Sequence, residues 1–104
     1  MPYSRTIFER IREQFPHAPT KRMFGGIVFF VRGHMLVGVF GDAMMARVGG
    51  ERAQQLLTQA GVSPLAKDPR RMRGFVKVDE SFIDREEDFL ALITFALEWN
   101  AQLE

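Results

Sequence analysis

Met23-Phe24-Gly25-Gly26-Ile27-Val28-Phe29-Phe30-Val31-Arg32-Gly33-His34-Met35-Leu36-Val37-Gly38-Val39-Phe40-Gly41-Asp42-Ala43-Met44-Met45-Ala46-Arg47-Val48 is the stretch that decides the fold. It is apolar, β-branched and aromatic, and two short breaks divide it. Arg32-Gly33-His34 separates the first run from the second, and Gly41-Asp42-Ala43 separates the second from the third. Runs of β-formers bounded by Gly and Asp predict strands joined by tight hairpins, here a three-stranded antiparallel meander. Gly25-Gly26 falls inside the first run. Paired glycines weaken a strand unless a bulge or a close backbone approach requires them, so they mark a place where another element comes near, and Gly38 has the same expectation. A phosphate-cradling loop is rejected, because it needs glycines between a strand and a helix and a strand follows here. The second run has almost no polar interruption, which predicts cover on both faces. Arg47 interrupts the third and is expected to point outward from an edge.

Before the meander, residues 4–15 read as an amphipathic helix with Ile7, Phe8, Ile11 and Phe15 on one face. Ser4 is its N-cap, Tyr3 and Phe8 stand at the positions of a hydrophobic staple, and Pro16 ends it. After the meander, residues 51–60 read as a short helix closed by Gly61. Residues 62–66 form a short extended piece that Pro64 confines to an edge or loop. Lys67-Asp68-Pro69-Arg70-Arg71-Met72-Arg73 is a basic loop of net charge +3, and residues 75–78 are a further strand. The final helix is expected over residues 84–102, with Asp84 and Glu87 at capping-box spacing. It has two apolar faces, one with Phe89, Ile93, Ala96 and Leu97, the other with Leu92, Phe95, Trp99 and Leu103. One sheet cannot cover both, so the second face is expected to meet the first helix or form a dimer interface.

The 104 residues fit a single domain, 1–104, and a hydrophobic fraction of 46% suffices for a core. With no cysteine, a disulfide scaffold, a Cys-ligated zinc site and a thiol nucleophile are excluded. No apolar run approaches membrane-spanning length, and Met1-Pro2-Tyr3 opens no signal-type segment, so a cytoplasmic location is expected. Charge is uneven. Residues 1–78 hold 13 Lys/Arg against 5 Asp/Glu, or +8, and residues 79–104 hold 1 against 8, or −7. The two regions are expected to lie together and largely cancel, because a pI near 8.2 falls below the footprint of a dedicated nucleic-acid domain.

His17 and His34 belong to no metal-ligand motif, Ser63 and Ser81 lack a nucleophile-elbow context, and the carboxylates at 79–88 are explained by helix capping. The six methionines read as core or interface filler. No catalytic residue, metal or cofactor is expected, and the chain is expected not to be an enzyme.

Lys21-Arg22-Met23-Phe24-Gly25-Gly26, Gly33-His34-Met35, Arg47-Val48-Gly49 with Glu51-Arg52, and Arg71-Met72-Arg73-Gly74-Phe75-Val76 with Val78 together resemble the N-terminal domain of the TfoX/Sxy family. The resemblance covers roughly residues 20–100. It implies an α+β fold similar to secretion-chaperone-like domains, an antiparallel sheet with flanking helices, in agreement with the order α-βββ-α-β(β)-α read from the residues. The named members regulate natural competence in bacteria and carry a second, C-terminal domain. These 104 residues are expected to be a stand-alone version, so the resemblance implies the fold more directly than the role, and it carries no catalytic residues over.

The leading expectation is a non-enzymatic, cytoplasmic regulatory or protein-interaction domain of a bacterial protein, with no membrane contact. A homodimer through Leu92, Phe95, Trp99 and Leu103, and a protein partner from a transcription apparatus, are the expected assemblies. Arg22, Arg47, Arg71 and Arg73 are the candidate partner or anion contacts, and Gly25 and Gly26 the candidate close-approach glycines. Nucleic-acid binding through the N-terminal arm, Lys21-Arg22 and the 67–73 loop ranks second, since no recognition helix is basic and the aromatics read as buried. An enzyme or anionic-ligand binder with a pocket at Gly25-Gly26, lined by His34 and Arg47, ranks third.

Overall fold

The computed structural model describes residues 3–68 and 70–104, so Pro69 of the basic loop lies outside the described residues. The fold is α+β. Helix α1 (Arg5–Gln14) precedes strands β1 (Thr20–Met23), β2 (Gly26–Val31), β3 (His34–Phe40) and β4 (Ala43–Arg47). Then come α2 (Gly50–Leu56), β5 (Val62–Pro64), β6 (Phe75–Asp79), α3 (Glu80–Ile83) and α4 (Glu86–Asn100). The six strands form one antiparallel sheet in the order β1-β2-β3-β4-β6-β5.

The meander thus has four strands, one more than its apolar runs suggest. Phe24 and Gly25 are not inside a strand. They are a two-residue hairpin turn with φ of 59° and 76°, the paired positive φ that a type I′ connection requires. Thr20–Met23 is the extra edge strand. The Arg32-Gly33 turn repeats that geometry, with φ of 56° and 80°. Between Phe29 and Phe30 the register with β3 shifts, so that Phe30 faces Met35 and Phe29 faces Val37. This bulge puts both Leu36 and Val37 into the same core.

All four helices pack on one face of the sheet. That core unites Ile7 and Ile11 of α1, Ala53 and Leu56 of α2, Ile83 of α3, and Phe89, Leu92, Ile93 and Ala96 of α4 with Phe29, Val37, Val39, Met44, Ala46, Val76 and Val78. Each fully buried large side chain there contributes about 1.5–3 kcal/mol. The N-terminal signals of α1 hold as read. Ser4 Oγ accepts from the Ile7 amide at 3.2 Å, and the Tyr3 and Phe8 rings lie 6.0 Å apart. The last helix differs from its expectation. Asp79 takes the chain out of β6 and caps the short α3, accepting from the Phe82 amide at 3.1 Å. Asp84 therefore ends α3 and caps nothing, and Arg85 stands at the N-cap of α4.

Two clamps fix the layers. The Asn100 side chain, 3% exposed, donates to the Val31 carbonyl at 2.9 Å. The Arg32 guanidinium donates to the Asn100 and Leu103 carbonyls, and His34 Nε2 meets the Glu104 carbonyl at 2.7 Å. A cation on the last carbonyls of a helix is favoured by their partial negative charge. At the other end, Ser4 donates its amide to the Gly41 carbonyl at 2.7 Å.

The close-approach reading of Gly26 holds, and the approaching element is β3. A Cβ at Gly26 would land on the Val39 carbonyl oxygen and lie 2.8 Å from Phe40 Cα. Gly26→Ala is therefore expected to cost about 1–3 kcal/mol or more, read as a melting point lower by several degrees. Gly50→Ala, with nothing within 4 Å, is expected to stay within about 0.5 kcal/mol of wild type. Asp79 offers a pH test. Its carboxylate accepts from Ser81 and from the Phe82 amide, which holds its pKa below the ordinary 3.8. The carboxylate binds its proton less readily folded than unfolded, so its stabilisation is present above that value and lost as pH falls through the depressed one. Asp79→Asn is expected to flatten that acid limb in melts taken across pH 2–6 (about two units either side of the ordinary value).

Candidate functional site

The other face of the sheet carries no helix. A second apolar cluster lies there, formed by Val28, Met45 and Phe75 with the half-buried Met23, Phe30, Met35, Phe40, Leu65 and Met72, all from strands or from the 65–74 loop. Strand alternation makes this cluster, since β2, β3 and β4 are apolar at odd and even positions alike. What covers it in place of a helix is the 65–74 loop, which lays Leu65 and Met72 on the cluster, and a set of cations. Lys21 Nζ lies 5.1 Å from the centre of the Phe30 ring, Lys77 Nζ 5.8 Å from Phe40, and the Arg47 guanidinium carbon 5.3 Å from Phe75.

The pairing registers align these residues across the strands. Lys21 pairs with Val28, Val28 with Gly38, Gly38 with Met45, Met45 with Lys77, and Lys77 with Ser63. The result is a row with a lysine toward each end and a low, apolar middle. At neighbouring strands about 4.8 Å apart, the backbones of Lys21 and Lys77 stand about 19 Å apart along it, and both ammonium groups lean inward over Phe30 and Phe40. Phe30, Met35, Arg47 and Phe75 lie in the row on one side, and Met23, Phe40 and Ala43 in the row on the other.

Direct ion pairing between the two halves is sparse. Among the described residues Arg10–Glu86, at 3.8 Å, is the one ion pair that joins them. Within the basic loop Arg70 is held by Asp68, whose pKa the bonds from Arg70 lower. Lys67, Arg71 and Arg73 have no carboxylate partner among the described residues. The carboxylates of residues 79–104 sit instead in the helical layer, on and around α3 and α4.

The sequence-derived candidates separate accordingly. Arg47 lies on the helix-free face in β4, which is a central strand and not the edge expected for it. Arg71 and Arg73 are exposed in the loop at the β5–β6 end. Arg22 pairs with Ile27 and turns toward the opposite face, where it lines a shallow depression of about 370 Å³ with Tyr3, Met23, Phe24, Gly25 and Gly26. His34 and Arg47 do not reach that depression. Gly26 lies level with Phe40 at one end of β3, and His34 begins β3 at the other end. The pocket proposed for an anionic ligand is therefore not assembled from these residues. His17 is exposed in the loop after α1, and among the described residues no three His, Asp or Glu side chains gather to hold a metal ion. Sequence reasoning missed Lys21 and Lys77 as a pair, because only the register brings them into one row.

The four residues expected at a dimer face differ in burial: Leu92 is buried, while Phe95, Trp99 and Leu103 are half-buried. Leu92 is 1% exposed and belongs to the core, not to an interface. Phe95 lies under the Arg52 guanidinium, 3.9 Å from the ring centre. Trp99 lies so close over Gly49 that a Cβ there would be 2.6 Å from the indole. Leu103 is half-buried, its carbonyl held by Arg32. Between α2 and α4 a groove of about 270 Å³ remains, lined by Gly49, Arg52, Phe95, Glu98 and Trp99 among others.

An α+β domain with one helical layer and one open sheet face is the class that these elements define. The profile of the TfoX N-terminal domain matches residues 11–99, and the chain belongs to that family. Among curated proteins none matches. A protein from Pseudomonas syringae, solved by crystallography as a structural genomics target, is similar in fold. The TM-score is 0.66 at 12% identity, over 89% of this chain and 95% of that one.

Because Trp99 packs on Gly49 inside one chain, Trp99→Glu is expected to lower stability by about 2 kcal/mol or more, measured by urea denaturation. A variant that keeps the wild-type midpoint but changes its elution volume would return Trp99 to an interface.

Proposed function

We propose that this chain is a non-enzymatic, cytoplasmic regulatory domain that acts by binding another macromolecule through the open face of its sheet. One observation carries the reading: a sheet face with a full apolar cluster, no helix over it, and cations on its aromatic rings. The half-buried Phe30, Met35 and Phe40 leave apolar surface at the rim of that cluster for a partner to cover. Membership of the TfoX N-terminal domain family supports regulation as the setting, and a protein of the transcription apparatus is the first partner to test. Arg47, Arg71 and Arg73 are the contacts this reading keeps, and Arg22 drops out because it faces the other way.

Lys77→Glu with Arg71→Glu reverses two exposed charges without touching the helical core. Placed in the host at wild-type level, the double variant is expected to reproduce the transcript profile of a strain lacking the gene, while its purified form melts like wild type. A transcript profile matching wild type would remove the open face as the working surface.

A further inference from the structure

We infer that the outer edge of β1 binds an extended, acidic peptide segment of a partner protein, which pairs with it as a further strand. The register fixes which backbone groups of β1 are free. The Phe30 amide donates to the Pro19 carbonyl at 2.9 Å. Pairing alternates from there, so Lys21 and Met23 turn their polar groups in toward β2, and Thr20 and Arg22 turn theirs out. Two N–H and two C=O groups thus line the rim. β1 is the end strand of the sheet, and no strand or turn takes these groups up among the described residues. The opposite edge is closed. There the Asp79 amide donates to the Gly61 carbonyl at 2.9 Å, which sets Val62 and Pro64 outward in β5. Pro64 has no N–H, and the Val62 amide donates back to the Gln59 carbonyl at 3.3 Å. β5 therefore offers an incoming strand no donor, which is how edges are protected. β1 has no such protection.

The groups on this rim choose the occupant. N–H and C=O groups alternating at strand spacing match a peptide backbone. Lys21 and Arg22 are exposed and have no carboxylate partner among the described residues. They point to opposite faces of the sheet, so two adjacent acidic residues of an added strand meet one cation each. A second copy of β1 centred on Lys21 or Arg22 would set that cation against its own equivalent, and like charges directly opposite are destabilising. The hairpin tip supplies an apolar subsite. Phe24 is 49% exposed, more than Leu90 or Leu97, and stands at φ 59° in a turn position that favours Gly or Asn. A ring held out at a disfavoured backbone position points to a use for the ring. With Tyr3, Arg22 and Met23 it borders the depression of about 370 Å³. An apolar side chain of the added strand, two residues from the carboxylate at Arg22, reaches that depression. This rim is separate from the open sheet face, and each surface stands without the other.

The probe is a labelled, capped peptide of about eight residues that carries adjacent glutamates and a phenylalanine two positions from one of them. Titrated with the whole chain in fluorescence anisotropy, it is expected to bind saturably. Lys21→Glu with Arg22→Glu is expected to lose about tenfold or more, and Lys67→Glu beside the opposite edge nothing. Lysines in place of the peptide's glutamates are expected to abolish binding. N-methylation of every second peptide amide is expected to abolish binding for one alternate set and spare it for the other, because only one set faces β1. Amide hydrogen exchange read by NMR locates the strand. With peptide bound, the Thr20 and Arg22 amides are expected to slow about fivefold or more, while those of Lys21 and Met23, already turned to β2, stay as they are. Melting curves check the folding of the variants, and the methylated peptides and the exchange pattern need only the wild-type chain. No binding, equal binding of the lysine peptide, or protection that spares Thr20 and Arg22 would overturn the inference. Protection of these two amides that grows with protein concentration, without peptide, would assign the edge to a second copy and overturn it as well.

Discussion

A six-stranded sheet has two faces, and this chain has helices for one. That constraint shapes everything else in the molecule. Strands β2, β3 and β4 are apolar on both sides, so neither face is left polar enough to stand in water unaided. The helical side takes Phe29, Leu36, Val37, Met44 and Ala46 into a core closed by Ile7, Ile11, Phe89 and Leu92. The other side is managed with less material. Methionines, lysine stems and one loop reduce the exposure of Val28, Met45 and Phe75 to a few per cent while leaving Phe30 and Phe40 half open. Long cationic side chains suit this, because their methylenes cover apolar surface while their charge stays in solvent.

How much of this was legible depended on whether local chemistry or partners made each feature. The apolar runs and Gly breaks carry the meander, and Ser4, Tyr3 and Phe8 carry the start of α1, because these signals act within a few residues. Thr20–Met23 was missed as a strand since Lys21 and Arg22 look like a linker. An edge strand needs only one partner and tolerates charge, so β2 decides its conformation. Phe24 at positive φ was likewise invisible, as was Arg47 in a central strand, which is held there by pairing with Phe75. Asp79 belongs to the carboxylates read as capping, but the cap at Asp84 was misplaced because the break before Arg85 left no trace in the periodicity of α4.

The candidate site was legible only as an inventory. Arg47, Arg71 and Arg73 are visible cations in any reading, but that Arg47 lies on the helix-free face is a property of register. So is the separation of Arg22 from it, one residue from Lys21 and on the opposite face. Charge followed the same rule. Counting by sequence halves suggested neutralisation, whereas folding biases the charges by layer, with most carboxylates on and around the helices and nine of the fourteen cations on the strands and their loops. The domain therefore has a dipolar surface that its net charge of +1 conceals.

The two clamps at the ends of the chain have a geometric corollary. Tyr3 and Ser4 are pinned at Gly41, just past one end of β3, and Leu103 and Glu104 are pinned at Arg32 and His34, at the other end. The first and last described residues thus sit at opposite poles of the same seven-residue strand, about 24 Å apart along it. A circular permutant would need a bridge of at least about seven extended residues to rejoin them. A pair of fluorophores on the two ends would report the length of β3 itself.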